Sequence, residues 1–314
     1  MVKNIGRKLF FGGAFLGVLG AGGGYATYQR RLRENRSISA EDYNAAQNQS
    51  DVQGALRLLR SGDAASATKL YRYTTCPWCG TVKAFLDCQK IRHDCVEVEP
   101  MLKGEINESA YKKVPQLRFD KADGTKGPYL VDSGIIVDTL AKEFGLGKQL
   151  DSEDVKKWRD WARGPLVRLM TLEFNKSLFD AWSGYSYIDK CDTIPYANKL
   201  FLKVVGAPVM YLVALNVTKP RLIRDGFLSV TDVPAERFHK ELNRFAEEAL
   251  HDAKTKKAKP FHGGNAPDLV DMDTFGVLQA VRGHRMYDEL IAKTKISEWL
   301  RSMDSVVGNK PYTS

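Results

Sequence analysis

The chain reads as an α/β unit of βαβ–ββα order followed by an all-helical unit, both behind one N-terminal membrane-spanning helix. Three observations predict this. A Cys-Pro-Trp-Cys motif (Cys76–Cys79) sits between an apolar run and a helical pattern. Short apolar runs alternate with helical spacing over 67–147, and only helical spacing follows from 151 to 314. A stretch of twenty residues without charge, Leu9–Tyr28, lies near the start.

That stretch, as a helix, would be about 30 Å long and would match a bilayer core. Lys3, Arg7 and Lys8 precede it; Arg30, Arg31, Arg33 and Arg36 follow, and Tyr25 and Tyr28 suit an interfacial belt. The basic flank argues for a retained single span over a cleaved signal. The acid-free, Arg/Lys-bearing run up to Glu34 favours a mitochondrial membrane, with Golgi or endoplasmic reticulum as the alternative. Residues 29–66 are polar and form a tether with a short helix around Ala55–Leu59.

Within 67–147, a strand at 68–73 enters helix 77–89, and Val96–Val98 forms the second strand. Gln116–Phe119 and Tyr129–Val131 form a pair joined through Asp123-Gly124. Helix Ser133–Phe144 closes the unit, stopped by Gly145. Helices at 156–170, 195–217, 234–253, 268–282 and 285–307 follow. Pro208 and Pro220 should break the middle, leaving an irregular insertion near 218–233. Asp268-Leu-Val-Asp271 reads as a capping box.

Composition bounds function. Of a net charge of +9, residues 1–66 hold nine basic and five acidic side chains, so the remainder is only mildly basic. The Lys254–Lys259 run has no interleaved aromatics and reads as a solvated helix end, so nucleic acid is not an expected partner. Five cysteines in 314 residues describe no disulfide scaffold. Zinc would need two further ligands, and Cys88, Cys95, Cys191 and five histidines offer no second paired spacing, so no metal is expected.

Two thiols two residues apart at a strand–helix junction form a redox-type motif of thioredoxin-like folds. Cys76 would lie at the helix N-terminus, where free N–H groups favour a thiolate, making it the candidate nucleophile. Cys79, one turn further, acts second. Val114-Pro115, with a cis proline before the third strand, would offer the Val114 backbone to an extended peptide. Asp132-Ser133 opens a helix: Ser133 and the helix end suit a carboxylate, and Asp132 an ammonium. Taken alone, that pair reads as a plain N-cap; together with the other two motifs it describes a site for the γ-glutamyl end of glutathione.

These residues resemble the glutathione transferase superfamily, whose members join a thioredoxin-like (glutaredoxin-type) N-terminal domain to an all-α C-terminal domain. More closely, the chain is similar to the microsomal prostaglandin E synthase type 2 family. Leu70–Cys79, Val82–Asp87, Val96–Pro100, Tyr111–Pro115 and Val131–Ile136 carry the likeness, with Ala207–Leu212, Pro260–Gly264 and Gly276–Leu278 in the second unit. The resemblance implies Cys76 as the active thiol and Tyr73 as its hydrogen-bonding partner. It implies glutathione on Val114, Pro115, Asp132 and Ser133, and haem held with glutathione near Lys219, Arg221 and Arg224. It further implies isomerisation of prostaglandin H2 to prostaglandin E2, a groove bordered by Trp78 and Phe119 for a lipid-like substrate, and a homodimer formed through the helical unit. Trp78 stands where that family commonly has phenylalanine, and Gly134 where a second serine is usual. A glutathione-dependent disulfide reductase, using Cys76 and then Cys79, is the rival expectation; a membrane-held glutathione/haem-binding protein with little catalysis is the third.

Overall fold

The computed structural model describes residues 38–309, apart from 63–66, Met101, Ala122, Thr193 and Ala253. The expected span at 9–28 lies outside the described residues.

Strand β1 (Ala67–Arg72) is central, parallel to β2 (Asp94–Glu97) and antiparallel to β3 (Gln116–Asp120). Strand β4 (Tyr129–Val131) pairs antiparallel with β3, giving the order β2-β1-β3-β4. The register explains the two faces. Leu70, Leu117 and Leu130 lie in one cross-strand row and enter the main core. One residue along, Tyr71 and Tyr129 turn to the other face, where the Arg118 guanidinium lies over both rings.

Helix α3 (Pro77–Cys88) makes the crossover from β1 to β2, and α4 (Ser133–Glu143) follows β4, as in thioredoxin-like folds. Residues read as a tether with one short helix form two, α1 (Ala40–Ala45) and α2 (Gln49–Ser61). Asn44 of α1 bonds both the N–H and the C=O of Val131, covering the β4 edge. Val52, Leu56 and Leu59 of α2 join the main core.

The helical part begins with α5 (Glu153–Trp161) and α6 (Val167–Phe174), joined by the wide turn Ala162–Leu166 that contains Pro165. A short α7 (Leu178–Gly184) leads to α8 (Tyr196–Arg224), 29 residues long. Pro208 and Pro220 do not break α8. Each follows a π-type turn (Leu202–Gly206 and Ala214–Thr218) and sits at the start of the next α segment, where its missing N–H breaks no bond and its ring has room. Helices α9 (Pro234–Arg244), α10 (Leu269–Gln279), α11 (Arg285–Lys293) and α12 (Ser297–Val307) complete it. The single helix expected over 285–307 is interrupted at Thr294, whose hydroxyl bonds back to the Leu290 carbonyl.

Helix α10 is buried along almost its whole length and is the joint between the two parts. Gly80 of α3 and Gly276 of α10 let the two backbones touch: a Cβ on Gly80 would lie 1.9 Å from the Gly276 carbonyl oxygen. The capping box is present, with Asp268 and Asp271 closing the N-terminus of α10.

Candidate active site

Cys76 is the N-cap of α3, and Pro77 opens the helix behind it. The Cys79 backbone N–H points at Cys76 Sγ across 3.4 Å. A hydrogen bond from the Cys79 thiol is the main reason the Cys76 pKa lies below the ordinary thiol value, with the Cys79 and Trp78 N–H groups adding to it against burial. Cys79, fully enclosed, is pushed well above that value by burial and by its bond to Cys76. The pair is therefore asymmetric: one thiolate-prone sulfur and one proton-holding sulfur.

The loop between β1 and α3 is fixed from beneath. Glu97, at the end of β2, accepts the Thr74 backbone N–H at 2.5 Å and its hydroxyl at 2.9 Å, with Arg72 at 3.6 Å. Burial raises the Glu97 pKa, and the Thr74 bonds oppose the shift. Tyr73 packs against the buried cluster of Tyr71, Val98 and Ile106, as does Val114. Burial, followed by the charges of Cys79 and Cys76, pushes its phenol well above the usual range, so it stays a protonated donor. The expected bond is not formed in this geometry: no hydrogen bond joins the phenol to Cys76 among the described residues.

A cavity of about 760 Å³ opens in front of Cys76. Tyr73, Cys76, Trp78 and Val114 line its α/β side; Arg163, Phe174, Tyr185, Tyr187, Met210 and Arg221 are among the helical residues opposite. Its described lining contains five basic side chains and no acidic one. Phe119 is not on the wall. It is 4% exposed and packed in the core, because its position on β3 faces the helices that cover the sheet.

The sequence motifs converge only in part. The Val114–Pro115 peptide is cis, and Val114 reaches the cavity while Pro115 is buried behind it. Asp132, at φ 73°, is the N-cap of α4, its Oδ1 accepting Gly134 N–H at 2.8 Å and Ile135 N–H at 3.4 Å. Ser133 is buried. Neither is among the lining residues, and the plain N-cap role of Asp132 is realised. Arg163 bridges the gap. It lines the cavity, its Nη1 lies 3.7 Å from where a Cβ on Gly134 would be, and Asp273 of α10 holds it at 2.8 Å. Arg159 shares that buried carboxylate, also at 2.8 Å, and reaches Asp138 of α4 at 2.6 Å.

Arg163, Tyr185 and Tyr187 were not found from sequence. Tyr185 and Tyr187 belong to the short turn after α7, which has no periodic pattern; Arg163 precedes Pro165 in what reads as the polar side of a helix. As to haem, the donor set gives it no support: no histidine is among the lining residues, and the one lining thiol, Cys76, is the candidate nucleophile. No group of three or more His, Cys, Asp or Glu side chains suited to a metal occurs among the described residues.

Residues 70–149 match the glutathione S-transferase N-terminal domain family. Prostaglandin E synthase 2 of Danio rerio is 26% identical over 344 aligned residues, covering 96% of this chain and 82% of the relative. Prostaglandin E synthase 2 of Mus musculus is also 26% identical, covering 77% and 71%. Among solved structures, a glutathione S-transferase of Ceriporiopsis subvermispora in complex with glutathione superposes with TM-score 0.49 at 10% identity, covering 79% of this chain and 99% of that one.

Proposed function

We infer that the chain is a glutathione-using, thiol-dependent isomerase of the prostaglandin E synthase type 2 kind, acting on a lipid endoperoxide. One observation carries the reading: Cys76, its pKa lowered by Cys79, faces a large, mostly apolar cavity between the α/β and helical parts. The relatives named above support the substrate class.

An endoperoxide and its hydroxyketone product are isomers, so the reaction needs no external oxidant or reductant. Attack of the Cys76 thiolate on one peroxide oxygen forms an S–O bond, and the O–O electron pair leaves on the other oxygen, which takes a proton and becomes the hydroxyl. Loss of the proton on the carbon bearing the sulfur-bound oxygen then forms the carbonyl and breaks S–O, returning the thiolate. Tyr73, kept protonated, is the nearby phenolic donor for the developing oxyanion. Glutathione would bind along Val114 with an acidic end toward Arg163. The notable departure from the expected contacts is that Asp132 spends its carboxylate on the helix N-terminus.

The thiol pair favours a second reading, a glutathione-dependent disulfide reductase in which Cys79 resolves a mixed disulfide on Cys76. The two thiols shift one another in opposite directions, Cys76 down and Cys79 up, as an attacking and a resolving thiol require. Both readings are tested with the full-length protein and its Cys76→Ser variant. The isomerase reading expects prostaglandin H2 conversion that is lost on Cys76→Ser; equal conversion by both proteins refutes it. Turnover of a glutathione mixed disulfide without prostaglandin H2 conversion selects the second.

A further inference from the structure

Helix α8 is long and apolar enough to cross a membrane, yet only 17% of its apolar window is buried inside the protein. Its inner side is anchored along the whole length: Leu202, Ala207, Ala214, Thr218 and Leu222 are buried. The outer side is a stripe of Leu200, Phe201, Val204, Val205, Val209 and Leu212, all between 42% and 54% exposed. Tyr196 at its start is 80% exposed, and Phe179 of the adjoining α7 is 71% exposed. A continuous apolar stripe of this length is not ordinary surface scatter.

We propose that this outer face of α8 is a docking surface for an anionic lipid bilayer, with the helix lying in the interface plane. Anchoring along its full length holds α8 against the protein, which is the geometry of an interfacial helix and not of a spanning one. The charge pattern selects the partner. Between Tyr196 and Arg224 there are five basic residues and no acidic one. Lys203 and Arg224 are neutralised by Asp189 and Asp225 and Arg221 belongs to the cavity lining, whereas Lys199 and Lys219, near the two ends of the helix, have no carboxylate partner among the described residues. A second copy laid along α8 in either direction would set cations against cations, which disfavours that occupant. Anionic headgroups would be attracted to the same residues.

The inner side of the same helix supplies Met210, Val213, Thr218 and Arg221 to the cavity lining. Docking would therefore place one cavity wall about one helix diameter, ~10 Å, from the lipid. An apolar substrate could then pass from the bilayer to Cys76 without crossing bulk water.

The stretch Leu9–Tyr28 can bring the full chain to vesicles by itself, so the readout is depth and not flotation. Full-length Val205→Trp and, as a control on α2, Leu58→Trp are mixed with phosphatidylcholine/phosphatidylserine vesicles carrying brominated acyl chains. The added emission of Val205→Trp should be quenched by roughly half, as expected for a side chain at the headgroup–acyl boundary, and that of Leu58→Trp should not change. Phosphatidylcholine vesicles alone should quench Val205→Trp less. An unquenched Val205→Trp in protein that floats, or equal quenching at the two positions, overturns the proposal. So does emission from Val205→Trp that shifts with protein concentration in the absence of vesicles, which would mark a second copy as the occupant. None of these readings depends on which reaction the cavity performs.

Discussion

Replacing Cys79 by Ala tests how the Cys76 thiolate is held. The variant keeps the backbone N–H that lies 3.4 Å from Cys76 Sγ but removes the thiol that contributes most to the lowered pKa. A hydrogen bond to a charged acceptor contributes about 1.5–3 kcal/mol. At a pH below the thiol range, its loss cuts the thiolate population by about one to two decades, at 1.36 kcal/mol per decade. The more basic thiolate that remains is a better nucleophile, and a Brønsted slope of about 0.45 returns nearly half of the loss. The net expectation is a roughly 4- to 16-fold slower alkylation of Cys76 by iodoacetamide at fixed pH, with the rate profile displaced to higher pH. The assay follows label on Cys76 by peptide mass, so that Cys88, Cys95 and Cys191 do not contribute. A rate within twofold of the parent would refute the reasoning, because the helix N-terminus alone would then hold the thiolate.

Other consequences are as direct. Gly276→Ala puts a Cβ 2.4 Å from the Gly80 carbonyl oxygen, which is backbone and cannot step aside, so thermal unfolding should show a loss of about 1–3 kcal/mol or more; an unchanged midpoint refutes the contact. Glu97→Ala leaves the Thr74 N–H without its acceptor and should lower stability in urea titration by about 1–3 kcal/mol, with Glu97→Gln restoring part. Burial raises Asp271 from 3.8 to about 6, so its folded form holds the proton more tightly than the unfolded chain. Its contribution is full below pH 3.8 and is lost as pH rises through about 6, and the stability of wild type relative to Asp271→Asn should fall across that window; parallel curves count against it.

How far the sequence could be read depended on whether a feature is local. The thiol motif, the strands beside it, the cis Val114–Pro115 peptide and the Asp268/Asp271 box are all written in a few adjacent residues, and each is found where the spacing placed it. Asp132-Ser133 had two local meanings, and the carboxylate's bonds to Gly134 and Ile135 show the helix-capping one. Proline gave a wrong break in α8 because the remedy, a π turn before each ring, has no signature of its own. Phe119 was misplaced since alternation along β3 does not say which face the helices cover. Arg163 was missed for a longer-range reason: its place at the cavity depends on Asp273, 110 residues away on α10.

That last contact shows where control of the site resides. Cys76 belongs to the α/β unit, but the helix it caps is set in position by Gly276 of α10, and Arg163, one of the five cations lining the cavity, is held by Asp273, three residues earlier on the same helix. Asp273 is fully buried between Arg159 and Arg163, and removing one partner of such a group leaves an unpaired charge that typically costs about 3–5 kcal/mol. The thiol and Arg163 therefore share one support, and Asp271, two residues back toward the N-terminus of α10, ties that support to Trp299 of α12 at 2.8 Å. A change anywhere along this helix should disturb thiolate reactivity and cavity binding together, whereas a change in α2, which packs on α4 and contributes nothing to the cavity lining, should lower stability without altering either.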